Sequence, residues 1–240
     1  MSDIYDMVEK TPEQLKSEVE TKPQESNNGG SRFEEPVYEG INLEVDTLQR
    51  NNKCYYIHSE VEVPDEAKET LNRVIDRLSL KEWTLRINPE DRNNKIAKHA
   101  FIKAAYKEVF LPWADMNKSI QPIIKRPTKM AHNVAIWTEK QLFKSDADKY
   151  NDMKSFFKAF RANFIHLLLG EGCNAPIEFA IIYTPCGTSA MSKDVKFKEL
   201  GFDISKILRL STILDFRVFN LGSNDSMMEL EQYLSSVVEG

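Results

Sequence analysis

Three short apolar runs, at residues 54–57, 83–87 and 109–111, alternate with two segments of helical periodicity. In the first of these segments Ala67, Leu71, Val74, Ile75 and Leu78 share one face. Pro64 stands at its first turn, with Asp65 and Glu66 at the positive helix end. In the second, Ile96, Ala97, Ala100, Phe101 and Ala104 form the stripe. Strands spaced by helices of this length are joined by crossovers, and crossovers pair strands in parallel with both faces covered. The pattern predicts an α/β fold, a Rossmann-like doubly wound and mainly parallel sheet.

Downstream, residues 114–147 read as irregular and then helical. A long helix over residues 147–169 stops at Gly170, strands follow at 178–183 and 216–220, and a last amphipathic helix spans 227–238. No run of roughly 18 apolar residues occurs, so no membrane span is expected. The residues from Met1 to Tyr5 lack the basic and apolar regions of a secretory signal. Cys54, Cys173 and Cys186 include no CxxC pair, which points to reduced, buried thiols in a cytoplasmic compartment.

The net charge of −5 is unevenly spread. Residues 1–50 hold 12 acidic and 5 basic side chains, a net of −7, which leaves +2 for residues 51–240. Such a body permits nucleic-acid binding without demanding it. The division predicts an acidic flexible arm over residues 1–50 and a globular domain over 51–240. Between residues 21 and 40 the chain turns to Pro, Glu, Ser, Asn and Gly, a composition that buries too little apolar surface to order itself. Ahead of it, Ile4, Tyr5, Met7 and Val8 make a short apolar patch, either a docking peptide for a protein partner or plain unstructured chain.

Five segments carry a family resemblance. They are Trp83-Thr84-Leu85-Arg86; Val109-Phe110-Leu111-Pro112-Trp113-Ala114-Asp115-Met116-Asn117; Arg161-Ala162-Asn163 leading to Leu169-Gly170 and Pro176; Tyr183-Thr184-Pro185-Cys186-Gly187; and Val218-Phe219-Asn220-Leu221. In this order they resemble the phage and bacterial branch of the SLOG Rossmann-like proteins. Relatives of that branch are the DNA-processing protein DprA and the Lonely Guy phosphoribohydrolases. The likeness covers roughly residues 53–235, with the Arg-Asn helix one residue out of step.

The departures from that family fall on its phosphate loops. The first-strand Gly-Ser-Arg is replaced by His58-Ser59-Glu60, and the Ser-Gly-Gly-Ala loop by Ile87-Asn88-Pro89-Glu90-Asp91 without a glycine. The Gly-Gly-Thr-Gly loop is lost around Gly201-Phe202-Asp203. Backbone amides close on a phosphate only where no Cβ intervenes, and Glu60, Glu90 and Asp91 repel an anion. The resemblance therefore implies a degenerate ligand pocket at His58, Ser59, Glu60, Asn88, Thr184, Cys186, Gly187 and Thr188, with no catalytic residue, no cofactor and no metal.

Other candidate chemistry is sparse. Cys186 lacks an assignable base, and His58, His99, His132 and His166 show no ligand spacing. Glu90 and Asp91 read as the start of the following helix. Lys154, Lys158 and Arg161 recur at i, i+4 and i+7 among Phe156, Phe157, Phe160 and Phe164. With Lys118, Lys125, Arg126 and Lys129 they could grip single-stranded nucleic acid by phosphate pairing and base stacking; otherwise the lysines are simply solvated and the aromatics form core.

The leading expectation is a non-catalytic binding or structural protein of phage type. It would engage a protein assembly, either a virion or a replication or transcription machine. DprA-like binding of single-stranded nucleic acid is the alternative, and binding or hydrolysis of a nucleotide derivative a further one. The resemblance also implies a homodimer.

Overall fold

The computed structural model describes residues 36–50, 52–112, 124–189 and 200–238. Two compact units divide the chain, Met1–Glu35 and Pro36–Gly240, and only the second falls among the described residues. Its strands are β1 (Cys54–His58), β2 (Thr84–Ile87), β3 (Lys107–Phe110), β4 (Ile124–Lys125), β5 (Phe179–Ile182) and β6 (Arg217–Asn220). Its helices are α1 (Asp65–Leu80), α2 (Ala97–Lys103), α3 (Lys129–Phe143), α4 (Ala147–Asn151), α5 (Ser155–Leu169), α6 (Phe202–Leu214) and α7 (Asn224–Val238).

The strands form one sheet in the order β4-β3-β2-β1-β5-β6, and every pairing is parallel. The chain builds outward from β1 to β4, then returns to lay β5 on the other side of β1. The order reverses between β1 and β5, and α/β sheets bind ligands outside the carboxyl ends of strands at such a switch point. This is the Rossmann-like architecture that the strand and helix periods predict.

Period-two alternation divides the core into two layers. Tyr55, Ile57, Leu85, Ile87, Phe179 and Ile181 face the layer packed by α1, α2 and α7. Tyr56, Phe110, Ala180 and Ile182 face the layer packed by α3, α5 and α6. The predicted α1 stripe of Ala67, Leu71, Val74, Ile75 and Leu78 is buried throughout. That helix ends where Glu82 adopts φ +61 and the Trp83 amide bonds back to the Leu78 carbonyl at 3.0 Å, which closes its last turn and aims the chain into β2.

Four expectations change. The predicted helix over 147–169 is two helices: Asp146 caps α4 through the Lys149 amide, and the Lys158 ammonium bonds the Asn151 carbonyl at 3.2 Å across the break. Residues 36–50, assigned to the arm from composition, lie on the body. Leu48 is buried, Tyr38 stacks on His132 with centroids 4.1 Å apart, and its backbone exchanges two hydrogen bonds with the Asn151 side chain. Glu90 and Asp91 precede α2 by several residues and form turns instead, with the Asn93 amide donating to Asp91. Cys186 is exposed rather than buried, while Cys173 is buried and Cys54 half-buried; none is in a disulfide. No helix among the described residues is long and apolar enough to cross a membrane.

Candidate functional site

At the carboxyl end of β1 the chain runs His58-Ser59-Glu60, and each side chain is used differently. His58 is buried, and its Nδ1 lies 2.9 Å from the Tyr56 hydroxyl. Burial lowers its pKa to about 4, against a small opposing pull from Asp203, so the imidazole is neutral. Ser59 is also buried. Its hydroxyl donates to the Val61 carbonyl at 2.6 Å, and its amide donates to Asn94, whose own amide group bonds the Ile57 carbonyl. The Ser59 side chain is thus spent on its own loop and, at 3.4 Å, on the Tyr183 carbonyl.

Glu60 makes the decisive contact. Its carboxylate accepts the backbone N–H groups of Phe202 (3.1 Å), Asp203 (2.7 Å) and Ile204 (2.9 Å), the first three amides of α6. Those amides carry the positive end of the helix dipole, and helix N-termini in general accept anions. Here a side chain of the same protein fills that position. Gly201 makes this approach feasible at φ +85, since a Cβ there would strike the carboxylate.

The turn after β5 is closed in a comparable way by Asn220, a residue that the sequence marks only as part of a strand. Its Oδ1 accepts the amides of Thr184 (3.1 Å) and Gly222 (2.9 Å), and its Nδ2 donates to Thr184 Oγ1 and to the Thr188 carbonyl, both at 2.6 Å. Thr184 is buried and fully engaged. Gly187 takes φ +68 and packs on Gly222. Cys186 stands exposed on this turn. Its slight burial raises the thiol pKa, but hydrogen bonds with Thr184 and Thr188 outweigh that and leave it lowered.

Beside this closed floor lies a cleft of about 680 Å³ between the loop after β2, the start of α5 and the start of α6. Phe156, Phe157, Phe160, Phe164 and Phe202 wall it, and Asn88, Asp91, Asp203 and Lys206 supply polar groups. Asn88 accepts the Glu90 amide at 3.0 Å. Burial raises the Asp91 carboxyl pKa and lowers that of Lys206, whose ammonium lies 4.3 Å from the centre of the Phe202 ring. Volume, apolar walls and perturbed ionisable groups are the usual marks of a binding cleft.

Comparison with protein-family models, curated proteins and solved structures returns no match. The fold is Rossmann-like α/β.

The basic residues do not assemble as their spacing predicts. Lys158 is only 4% exposed, whereas Phe156 and Phe157 are 50% and 54% exposed, so the helix is turned the other way. Arg161 pairs with the buried Glu139. Lys125 is held by Glu108 at 3.3 Å and Glu171 at 3.0 Å. Arg126, Lys129 and Lys154 are exposed. Lys118, like Ile4, Tyr5, Met7 and Val8, lies outside the described residues. His166 is a core histidine with Nε2 3.2 Å from Thr128 Oγ1. Sequence reasoning met Asp203 only as part of a lost loop and missed Lys206, because it assigned no helix to residues 202–214.

Proposed function

We propose that the chain is a non-catalytic binding protein on a degenerate SLOG scaffold of the DprA-like kind, engaging a protein assembly of phage type. The carrying observation is the Glu60 carboxylate on the first amides of α6. A phosphate would compete there with a tethered anion already held by three hydrogen bonds, and charged hydrogen bonds of this kind are strong. The order of the five family-like segments supports the kinship: Thr84–Arg86 lie on β2, Val109 and Phe110 end β3, Arg161–Asn163 lie on α5, Thr184–Gly187 form the turn after β5, and Val218–Asn220 lie on β6. The half-exposed rings of Phe156 and Phe157 at the cleft mouth are the natural anchor for an apolar side chain of a partner.

The test is ligand-induced stabilisation. Wild-type protein should show no rise in unfolding temperature with millimolar nucleoside monophosphates or inorganic phosphate. Glu60→Ala, which vacates the helix end, should acquire stabilisation by phosphate. A clear shift in the wild type would overturn the reading. For the partner, a Phe156→Ser/Phe157→Ser variant with unchanged folding should lose proteins that the wild type retains in native capture.

A second reading, single-stranded nucleic-acid binding, draws on the same exposed rings together with Arg126, Lys129 and Lys154. Burial of Lys158 and the double pairing of Lys125 remove two of its proposed contacts. It predicts low-salt affinity that falls steeply as salt rises, and a flat titration would end it.

A further inference from the structure

His58 Nε2 is buried, points toward Glu60 and finds no hydrogen-bond partner among the described residues. Its separation from Glu60 Oε1 is 3.9 Å, too long for a hydrogen bond. Buried polar nitrogens in folded proteins are nearly always satisfied, so an unpaired one calls for an occupant. Asp203, in the first turn of α6, completes a group with His58 and Glu60 whose ligand-capable atoms all lie within 4.8 Å of one another.

We propose that His58, Glu60 and Asp203 hold one divalent transition-metal ion. Two ligands each about 2.1 Å from a shared ion lie roughly 3.0–4.2 Å apart, so a spread of this size closes on an ion with small side-chain movement. His58 presents the neutral imidazole that metals bind, and the Tyr56 hydroxyl on Nδ1 orients it from behind, as outer partners of metal-bound histidines do. Glu60 Oε1, the oxygen 3.9 Å from His58 Nε2, accepts two amides, whereas among the described residues Oε2 accepts the Phe202 amide alone and keeps a lone pair for a cation.

Charge favours the ion. Glu60, Asp91 and Asp203 all bear on this corner, and their mutual repulsion contributes to the raised Asp91 pKa. Lys206, one turn along α6, bears on Asp203 and Glu60 as well as on Glu139 at 3.9 Å and lies against Phe202, so one ammonium offsets part of that charge. The positive end of α6 opposes a cation, but it amounts to about half an elementary charge against three carboxylates. An imidazole with two carboxylates suits zinc, manganese or iron(II); magnesium and calcium prefer all-oxygen shells. Three protein ligands leave positions open, and Asp203 also lines the aromatic cleft. The ion would therefore face whatever enters that cleft. This site stands apart from the reading of Glu60 as a phosphate surrogate, since it needs only one free lone pair on that carboxylate.

The test uses full-length, chelator-treated protein titrated with zinc chloride, manganese chloride and magnesium chloride, followed by calorimetry and by unfolding temperature. The expected result is one saturable equivalent of zinc or manganese with a raised unfolding temperature, and weaker binding of magnesium. Asp203→Asn, on a half-exposed first turn, should weaken binding at least about tenfold, and Tyr56→Phe by up to about tenfold. His58→Gln should abolish it; because His58 is buried, its circular dichroism is recorded alongside, and Asp203→Asn decides the matter if His58→Gln misfolds. Absence of saturable binding in the wild type, or undiminished affinity in Asp203→Asn, would overturn the assignment. Stabilisation of wild type by a nucleoside monophosphate would defeat the proposed function while leaving this site untouched.

Discussion

Gly201 yields the space that Glu60 occupies: a Cβ on Gly201 would lie 2.6 Å from Glu60 Oε1, and the backbone there sits at φ +85. The two residues are therefore one device, a carboxylate seated on a helix end through a gap that only glycine leaves. Gly201→Ala should cost roughly 3 kcal/mol, combining left-handed strain with the clash. Glu60→Ala should cost about 2 kcal/mol by leaving three amides unpaired. In urea unfolding, the double variant should lose less than the sum of the two, because both act through one contact. Simple additivity would separate them.

Arg86 is the buried cation of the sheet, 4% exposed on β2. Its guanidinium meets Glu108 at 2.9 Å and the carbonyls of Ala175 (2.6 Å) and Leu168 (3.4 Å), and it lies flat against Gly170. Arg86→Ala should lower stability by about 2 kcal/mol, since the Ala175 carbonyl loses its partner, while Glu108 keeps Lys125 and the Leu168 carbonyl keeps the Ile177 amide. Arg86→Lys should recover less than half of that, because an ammonium cannot serve three acceptors in a fork. Full recovery in the lysine variant would show that charge alone matters.

Three buried histidines set an acid limit: His58, lowered to about 4 by burial, and two more on α3 and α5. Burial lowers His132 to about 4, aided by Lys158 and His166. Burial also lowers His166 to about 4, with Glu171 opposing and Lys125 and Arg86 assisting. The unfolded chain, with an ordinary histidine pKa near 6.5, binds these protons first. Their contribution is therefore complete above pH 6.5 and lost as pH falls toward 4, at a slope of up to about 1.4 kcal/mol per pH unit for each. Denaturation at pH 7, 6 and 5 should reveal this slope, and His166→Gln should flatten it. A stability unchanged between pH 7 and 5 would contradict the assignment.

The three thiols should separate kinetically. Cys186 is exposed with a lowered pKa, whereas burial pushes Cys173 up to about 12 and raises Cys54 as well. A thiol-disulfide reagent should label one cysteine of the native protein at least about tenfold faster than the other two. Cys186→Ser should remove that fast phase; its persistence would place the reactive thiol elsewhere.

The sequence alone determined the layered architecture. Periods of two and 3.6 are local properties, so β1, α1, β2, α2 and β3 could be read from residues 54–111, and the predicted α1 stripe is the buried stripe. Tertiary structure decided everything that depends on residues far apart. Glu60 meets α6 across more than 140 positions, His58 finds Asp203 across a similar span, and Asn220 closes the turn that holds Cys186. Spacing rules see only neighbours on one element. For the same reason, Lys154, Lys158 and Arg161 looked like one exposed stripe until a break before Ser155 and a half-buried acceptor at Asn151 turned Lys158 inward and Phe156 and Phe157 out. Which face of a helix is wet depends on what packs against it, and that packing is a property of the whole chain.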